Sequence, residues 1–142
     1  MNKCVVCVID GQGGGIGATL IKYLKASYGE TLELLALGTN AIATAAMMKA
    51  GANRGASGEN AIIHSTQRAD LIVGPLAITW ANGMLGEVTP LMAAAVTSCA
   101  APKILLPLFQ ENVTLVGVAP EPLPHMVKLI VEEKIREVLQ NV

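Results

Sequence analysis

Lys3 to Ile9 is an almost unbroken apolar, β-branched run closed by Asp10, the pattern of a strand covered on both faces. Beyond a cluster of glycines, Ile16, Leu20, Ile21 and Leu24 recur at helical spacing, and Gly29 supplies a stop. Leu32 to Leu37 repeats the strand pattern. Gly38 follows, then Thr39 or Asn40 as the N-cap of an alanine-rich helix that ends near Ala50, with Gly51 just past it. A strand at Asn60 to His64 would leave only about five residues before the next strand, whereas a parallel crossover needs a dozen or more. Ser57 is therefore read as an N-cap, Gly58 to Arg68 as a helix burying Ile62 and Ile63, and Ala52 to Ala56 as the place of a short edge strand.

Asp70 to Val73 reads as a central strand closed by Gly74 and Pro75. Leu76 to Glu87 is apolar but broken by Gly83 and Gly86, as expected of a loop with a short helix. Thr89 before Pro90 starts a helix that runs to about Cys99. Lys103 to Leu108 and Val113 to Val118 read as two strands, and Phe109 to Asn112 is too short for a crossover, which implies an antiparallel hairpin. The last helix, about Leu123 to Gln140, sets Val127, Ile130, Val131, Ile135 and Val138 on one side. At 142 residues one hydrophobic core is expected, so residues 1–142 are assigned to one domain. The expected fold is α/β: a Rossmann-like three-layer αβα arrangement, with a mostly parallel doubly wound sheet and a C-terminal antiparallel edge hairpin.

Ligands of such sheets bind beyond the carboxyl ends of the strands, where strand order reverses. Topology brings three segments there: Gly11 to Gly17, Gly38 to Asn40, and Gly74 onward. The first, Gly11-Gln12-Gly13-Gly14-Gly15-Ile16-Gly17, lies between a strand and a helix, where glycine lets backbone approach a ligand and the helix start offers N–H groups to phosphate. Gly13 and Gly15 are expected to serve that approach, with positive φ at Gly15. No Lys-Ser or Lys-Thr pair follows, so this is not a P-loop. The expected ligand-contacting set is Gly11, Gln12, Gly13, Gly14, Gly15, Ile16, Gly38, Thr39, Asn40, Gly74 and Pro75.

Asp10 is read first as a pin for the loop and second as a metal-linked acid, and Glu87 as a candidate base. Thr39 and Asn40 stand where a dinucleotide fold usually carries an acid for the ribose, so recognition of that kind is weakened. Cys4 and Cys7 have CxxC spacing, but residues three apart on a strand face opposite ways, so with Cys99 they are read as core thiols. His64 and His125 are isolated and read as polar surface positions. Trp80 is assigned to burial or a subunit contact ahead of ring stacking.

Ten Lys and Arg stand against 11 Asp and Glu, for a net charge of −1, and no basic stripe offers a nucleic-acid or membrane footprint. Only 15% of residues are charged, against about 25% in typical chains. A homo-oligomer formed through Leu76 to Leu85 is expected on that ground. No apolar run approaches membrane-span length, and the apolar N-terminus reads as a first strand, so a cytoplasmic location is expected.

Gly11, Gly15, Ile16 and Gly17 resemble the cofactor loop of short-chain dehydrogenases, which implies NAD or NADP as cofactor. The dehydrogenase Tyr-x-x-x-Lys pair is absent, since Tyr23 and Tyr28 are followed at that spacing by Ser27 and Leu32, so the activity is not carried over. The segments GQGGGIG, ALGTNAIAT, GENAI, VGP and GEVTP, in this order, resemble a family of short bacterial proteins known as a domain of unknown function. That likeness spans nearly the whole chain and implies no activity. The leading reading is a nucleotide- or dinucleotide-binding module that recognises a small phosphorylated ligand through the glycine loop. Two others stay open: an enzyme acting on a bound nucleotide or phosphorylated small molecule, and a structural oligomeric protein without a ligand.

Overall fold

The chain alternates strand and helix because its apolar runs are either buried on both faces or repeat at helical spacing. The computed structural model describes residues 3–108, 112–119 and 121–140. Its strands are β1 (Cys4–Asp10), β2 (Leu32–Gly38), β3 (Arg54–Ser57), β4 (Leu71–Pro75) and β5 (Lys103–Leu106). The helices between them are α1 (Gly15–Tyr28), α2 (Ala41–Lys49), α3 (Glu59–Thr66) and α4 (Pro90–Ser98). All described strand pairs are parallel, in the order β3-β2-β1-β4-β5.

Successive side chains of β1 divide between the two layers. Val6 and Val8 pack with Leu20, Ile21 and Leu24 of α1 and Met47 of α2, while Cys7 and Ile9 pack with Ile62 of α3 and Met92 and Val96 of α4. Cys4 joins the first cluster and Cys7 the second, so the CxxC pair is split across the sheet. Burial, reinforced by the nearby Cys99, Asp70 and Glu33, pushes the Cys7 thiol up to about 12, which removes it as a nucleophile.

The terminal helix is α5 (Leu123–Leu129) and α6 (Ile135–Gln140), joined through a π-helical turn at Ile130–Lys134. Val127, Ile130, Val131 and Ile135 are buried against the first cluster and Val138 is partly so, as their spacing predicts. The Tyr28 hydroxyl donates to the Val131 carbonyl at 2.8 Å, tying the end of α1 to that turn.

Two expectations are corrected. The C-terminal hairpin does not form: β5 ends at Leu106, its described neighbour is the parallel β4, and 113–118 is irregular chain in which Val116 and Val118 are exposed. β-Branched composition favours a strand only where a ladder partner and a surface to pack on exist, and Gly117 turns this segment at φ 86°. Residues 109–111 of the expected turn lie outside the described residues. Ser57 is not a cap either; it is the last residue of β3, paired with Gly38, and Gly58 at φ 96° caps α3. The short edge strand expected within Ala52 to Ala56 is present as β3, which ends one residue beyond that stretch.

Tyr28→Phe removes the bond to Val131 without changing the apolar contacts. A loss of about 0.5–1.5 kcal/mol in denaturant unfolding is expected, and no loss would show that this bond does not hold the terminal helix in place.

Candidate functional site

The chain runs from β1 outward to β2 and β3, then crosses back to β4 on the far side of β1. The loops after β1 and β4 therefore lead to helices on opposite faces, which opens a crevice between them. A cleft of about 350 Å³ lies there, lined by the loop from Asp10 to Ile16 and by Pro75, Ala77, Met84, Leu85 and Leu108.

Asp10 is 3% exposed. Its carboxylate accepts the N–H groups of Gly11 and Gly17, each at 2.8 Å, and the Ile16 amide also favours the charged form. Burial pushes the carboxyl above its ordinary 3.8, opposed by these amides and assisted by the charge on Glu87. Asp10 thus pins the loop from inside the fold, as the sequence suggests.

Glu87 reaches across from the far side. Its Oε1 accepts the Gln12 N–H at 2.9 Å and the Thr39 hydroxyl and Asn40 amide at 2.7 Å each. Burial pushes the Glu87 carboxyl up, but the bonds from Thr39, the Gln12 amide and Asn40 outweigh it and hold the group below its ordinary 4.5. Asn40 is also the N-cap of α2, its Oδ1 accepting the Ala43 N–H at 2.8 Å, and its amide donates to the Gln12 carbonyl at 3.0 Å.

The loop amides are therefore already divided. Gly11 and Gly17 donate to Asp10, Gln12 to Glu87, and Gly14 to the Gly11 carbonyl at 2.9 Å. Gly13 and Gly15 are exposed, and among the described residues their N–H groups meet no acceptor. The glycines divide the same way. A Cβ at Gly11 would meet the Met84 sulfur and Thr39 hydroxyl at 2.5 Å, and one at Gly14 the Ala43 carbonyl oxygen at 2.7 Å, while at Gly13 and Gly15 it would meet nothing within 4 Å. Positive φ falls on Gly14, at 74°, and on Gln12, at 51°, not on Gly15, which is the first residue of α1.

Of the expected contact set, Gly11 to Ile16 and Pro75 line the cleft. Gly38 and Gly74 do not: side-chain or backbone atoms of Thr44, Asn40, Ile9 and Ile78 fill the places their side chains would take. Thr39 and Asn40 sit beside the loop but bind Glu87. Met84, Leu85 and Leu108 were missed, and the only sequence signal for the first two was an apolar pair between Gly83 and Gly86. His64 lies on α3 beside another cleft with Arg54 and Arg68, and His125 pairs with Glu121 at 3.7 Å. Trp80 is partly exposed. Among the described residues no three His, Cys, Asp or Glu cluster as metal ligands, and no helix is long and apolar enough to cross a membrane.

A family model matches residues 5–139, nearly the whole chain. The chain belongs to the family described as Domain of unknown function (DUF3842). The GQGGGIG loop, the GTN turn and the GEVTP segment that surround the cleft all fall within this match. A comparison with curated proteins finds no match.

Gly14→Ala is expected to lose about 1–2 kcal/mol from its left-handed backbone alone, and more from the Ala43 contact, whereas Gly13→Ala should stay within about 0.5 kcal/mol of wild type. Equal losses in chemical unfolding would refute this division of the loop.

The Glu87 bonds have a defined pH dependence. A carboxyl whose folded value lies below 4.5 stabilises the fold above that pH and loses the contribution as pH falls through the depressed value. The Gln12 amide resonance should therefore shift in acid with an inflection below 4.5, and Glu87→Gln should abolish it. An inflection at or above 4.5 contradicts the assignment.

Proposed function

We propose that this chain is a binding module for a phosphorylated small molecule, whose phosphoryl oxygens accept the N–H groups of Gly13 and Gly15 at the start of α1. The observation that carries the reading is the openness of those two glycines. Folding does not require glycine at either, since neither has positive φ and a Cβ would meet nothing within 4 Å. Glycine there nonetheless has more backbone freedom to lose on folding than alanine would. Close approach of an oxyanion to bare backbone gives it a purpose.

Supporting features surround the two amides. The α1 N-terminus contributes its positive dipole end. Asp10 fixes the loop while turning its charge inward, so that the anion meets N–H groups before it meets the carboxylate. Gln12, Gly14, Ile16 and Pro75 form the walls, and Gly38, Thr39, Asn40 and Gly74 support them from behind or beside.

The test is Gly15→Val. Its side chain enters space that is empty in the free protein, so the melting temperature should hold within a few degrees. Binding of phosphate-bearing probes, followed by ligand-observed NMR, should weaken at least about tenfold, or ~1.4 kcal/mol. A variant that binds as well as wild type would make the loop a structural turn.

A further inference from the structure

The two faces of the sheet are unequally covered at β2 and β3. On one face α2 lies over both strands, close enough that a Cβ at Gly55 would meet the Met48 sulfur at 2.9 Å. On the other, the chain leaves β3 and crosses back, so that α3 packs Ile62 on Cys7 and Ile9 of β1. Residues paired across neighbouring strands share a face, which turns Leu35 with Arg54, and Leu37 with Ala56, toward this barer side. Val5 of β1 lies beside them, and it and Leu35 stay only partly buried.

A cleft of about 370 Å³ fills the gap and shares no residue with the one at the glycine loop. Its apolar lining is Val5, Leu35, Leu37 and Ala56. Arg54 borders it on the β3 side, and His64, Ser65 and Arg68 border it on the α3 side. The lining thus carries two guanidiniums and no carboxylate. Arg54 is ion-paired with Glu33 of β2. Among the described residues Arg68 has no ion-pair partner, and the Ser65 hydroxyl has no hydrogen-bond partner. Asp70 turns one carboxylate oxygen to the Val5 N–H at 2.8 Å and does not line the cleft. Protection of a sheet edge accounts for Arg54, and the negative end of α3 accounts for a cation near its close. Neither role calls for apolar side chains left open between them.

The charges also decide between occupants. A two-fold contact between copies would set one basic rim against another. A phosphomonoester carries a charge of about −1.5 to −2, whereas a single uncompensated guanidinium matches one carboxylate and offers it a planar fork. We infer that this cleft binds a small aryl monocarboxylate, its carboxylate on Arg68 and the Ser65 hydroxyl and its ring flat on the sheet at Val5, Leu35 and Ala56. The volume and the mostly apolar lining with a few polar groups are those of small-molecule sites. This second site does not depend on the phosphoryl reading.

The experiment follows the backbone amides of the full chain by NMR during titration with 2-naphthoate and with 2-naphthamide, its uncharged counterpart. In wild type, 2-naphthoate should shift Gly55, Ala56 and Ser65 and bind at least tenfold more tightly than 2-naphthamide. Arg68→Gln should abolish that preference at an unchanged melting temperature, because the side chain is exposed and has no ion-pair partner among the described residues. Ala56→Leu, which fills the cleft from an exposed strand position, should weaken both probes. Equal binding of the two probes, a preference that survives Arg68→Gln, or 2-naphthoate shifts absent from Gly55, Ala56 and Ser65 would each overturn the inference. So would shifts of those three amides on raising the protein concentration without a probe, which would give the cleft to a second copy of the chain.

Discussion

The buried carboxylate of Asp10 is the contact on which the candidate site depends. It stands at the last residue of β1 and accepts N–H groups from both ends of the glycine loop, Gly11 and Gly17. An unpaired charge in that position would be costly, so the loop must fold back over it and α1 must begin where it does. The same bonds satisfy donors at the start of α1 that would otherwise have no partner. They fix which amides remain to face solvent.

Glu87 acts on the same loop from outside. Its carboxylate joins the β1–α1 loop to the turn after β2, so that three connections distant in sequence become one rigid rim. Burial and hydrogen bonding separate the two acids. Asp10 is pushed up by burial and by the Glu87 charge, while the three donors around Glu87 hold that group down. The segment bearing Glu87 is under backbone strain, with Asn82, Met84 and Leu85 all at positive φ. Side chains in that region cost of the order of 1 kcal/mol or more each; backbone bonds within the segment, among them the Asn82 N–H to the Val88 carbonyl at 2.7 Å, hold it there together with the bonds to Glu87 and burial of Val88.

The sheet makes this geometry available. With β1 central and β4 on the side opposite β2, the chain ends three strands beside one another at Asp10, Gly38 and Pro75. Crowding then explains most of the glycines near the site. Gly11, Gly17, Gly38 and Gly74 admit neighbouring atoms, Gly14 takes the left-handed turn into α1, and Gly13 and Gly15 alone in the loop are left open.

By itself the sequence determined the order of elements from β1 to α4, the cap at Thr89 and that of α2 to within Thr39 or Asn40, the glycine loop between strand and helix, and the pinning role of Asp10. Those are local properties: periodicity, capping chemistry and turn residues act over a few positions and can be read in order. It misled at 113–118, where β-branched residues suggested a strand but none of the described residues supplies a ladder partner, and at Gly15, where the left-handed residue is its neighbour Gly14. Only the tertiary structure decided that Glu87 would cross to Gln12, Thr39 and Asn40, that Met84 and Leu85 would wall the cleft, and which loop amides would stay open. Those contacts join residues 45 or more positions apart, and no local pattern records a hydrogen bond whose partners meet only when β4 returns to the side of β1 opposite β2.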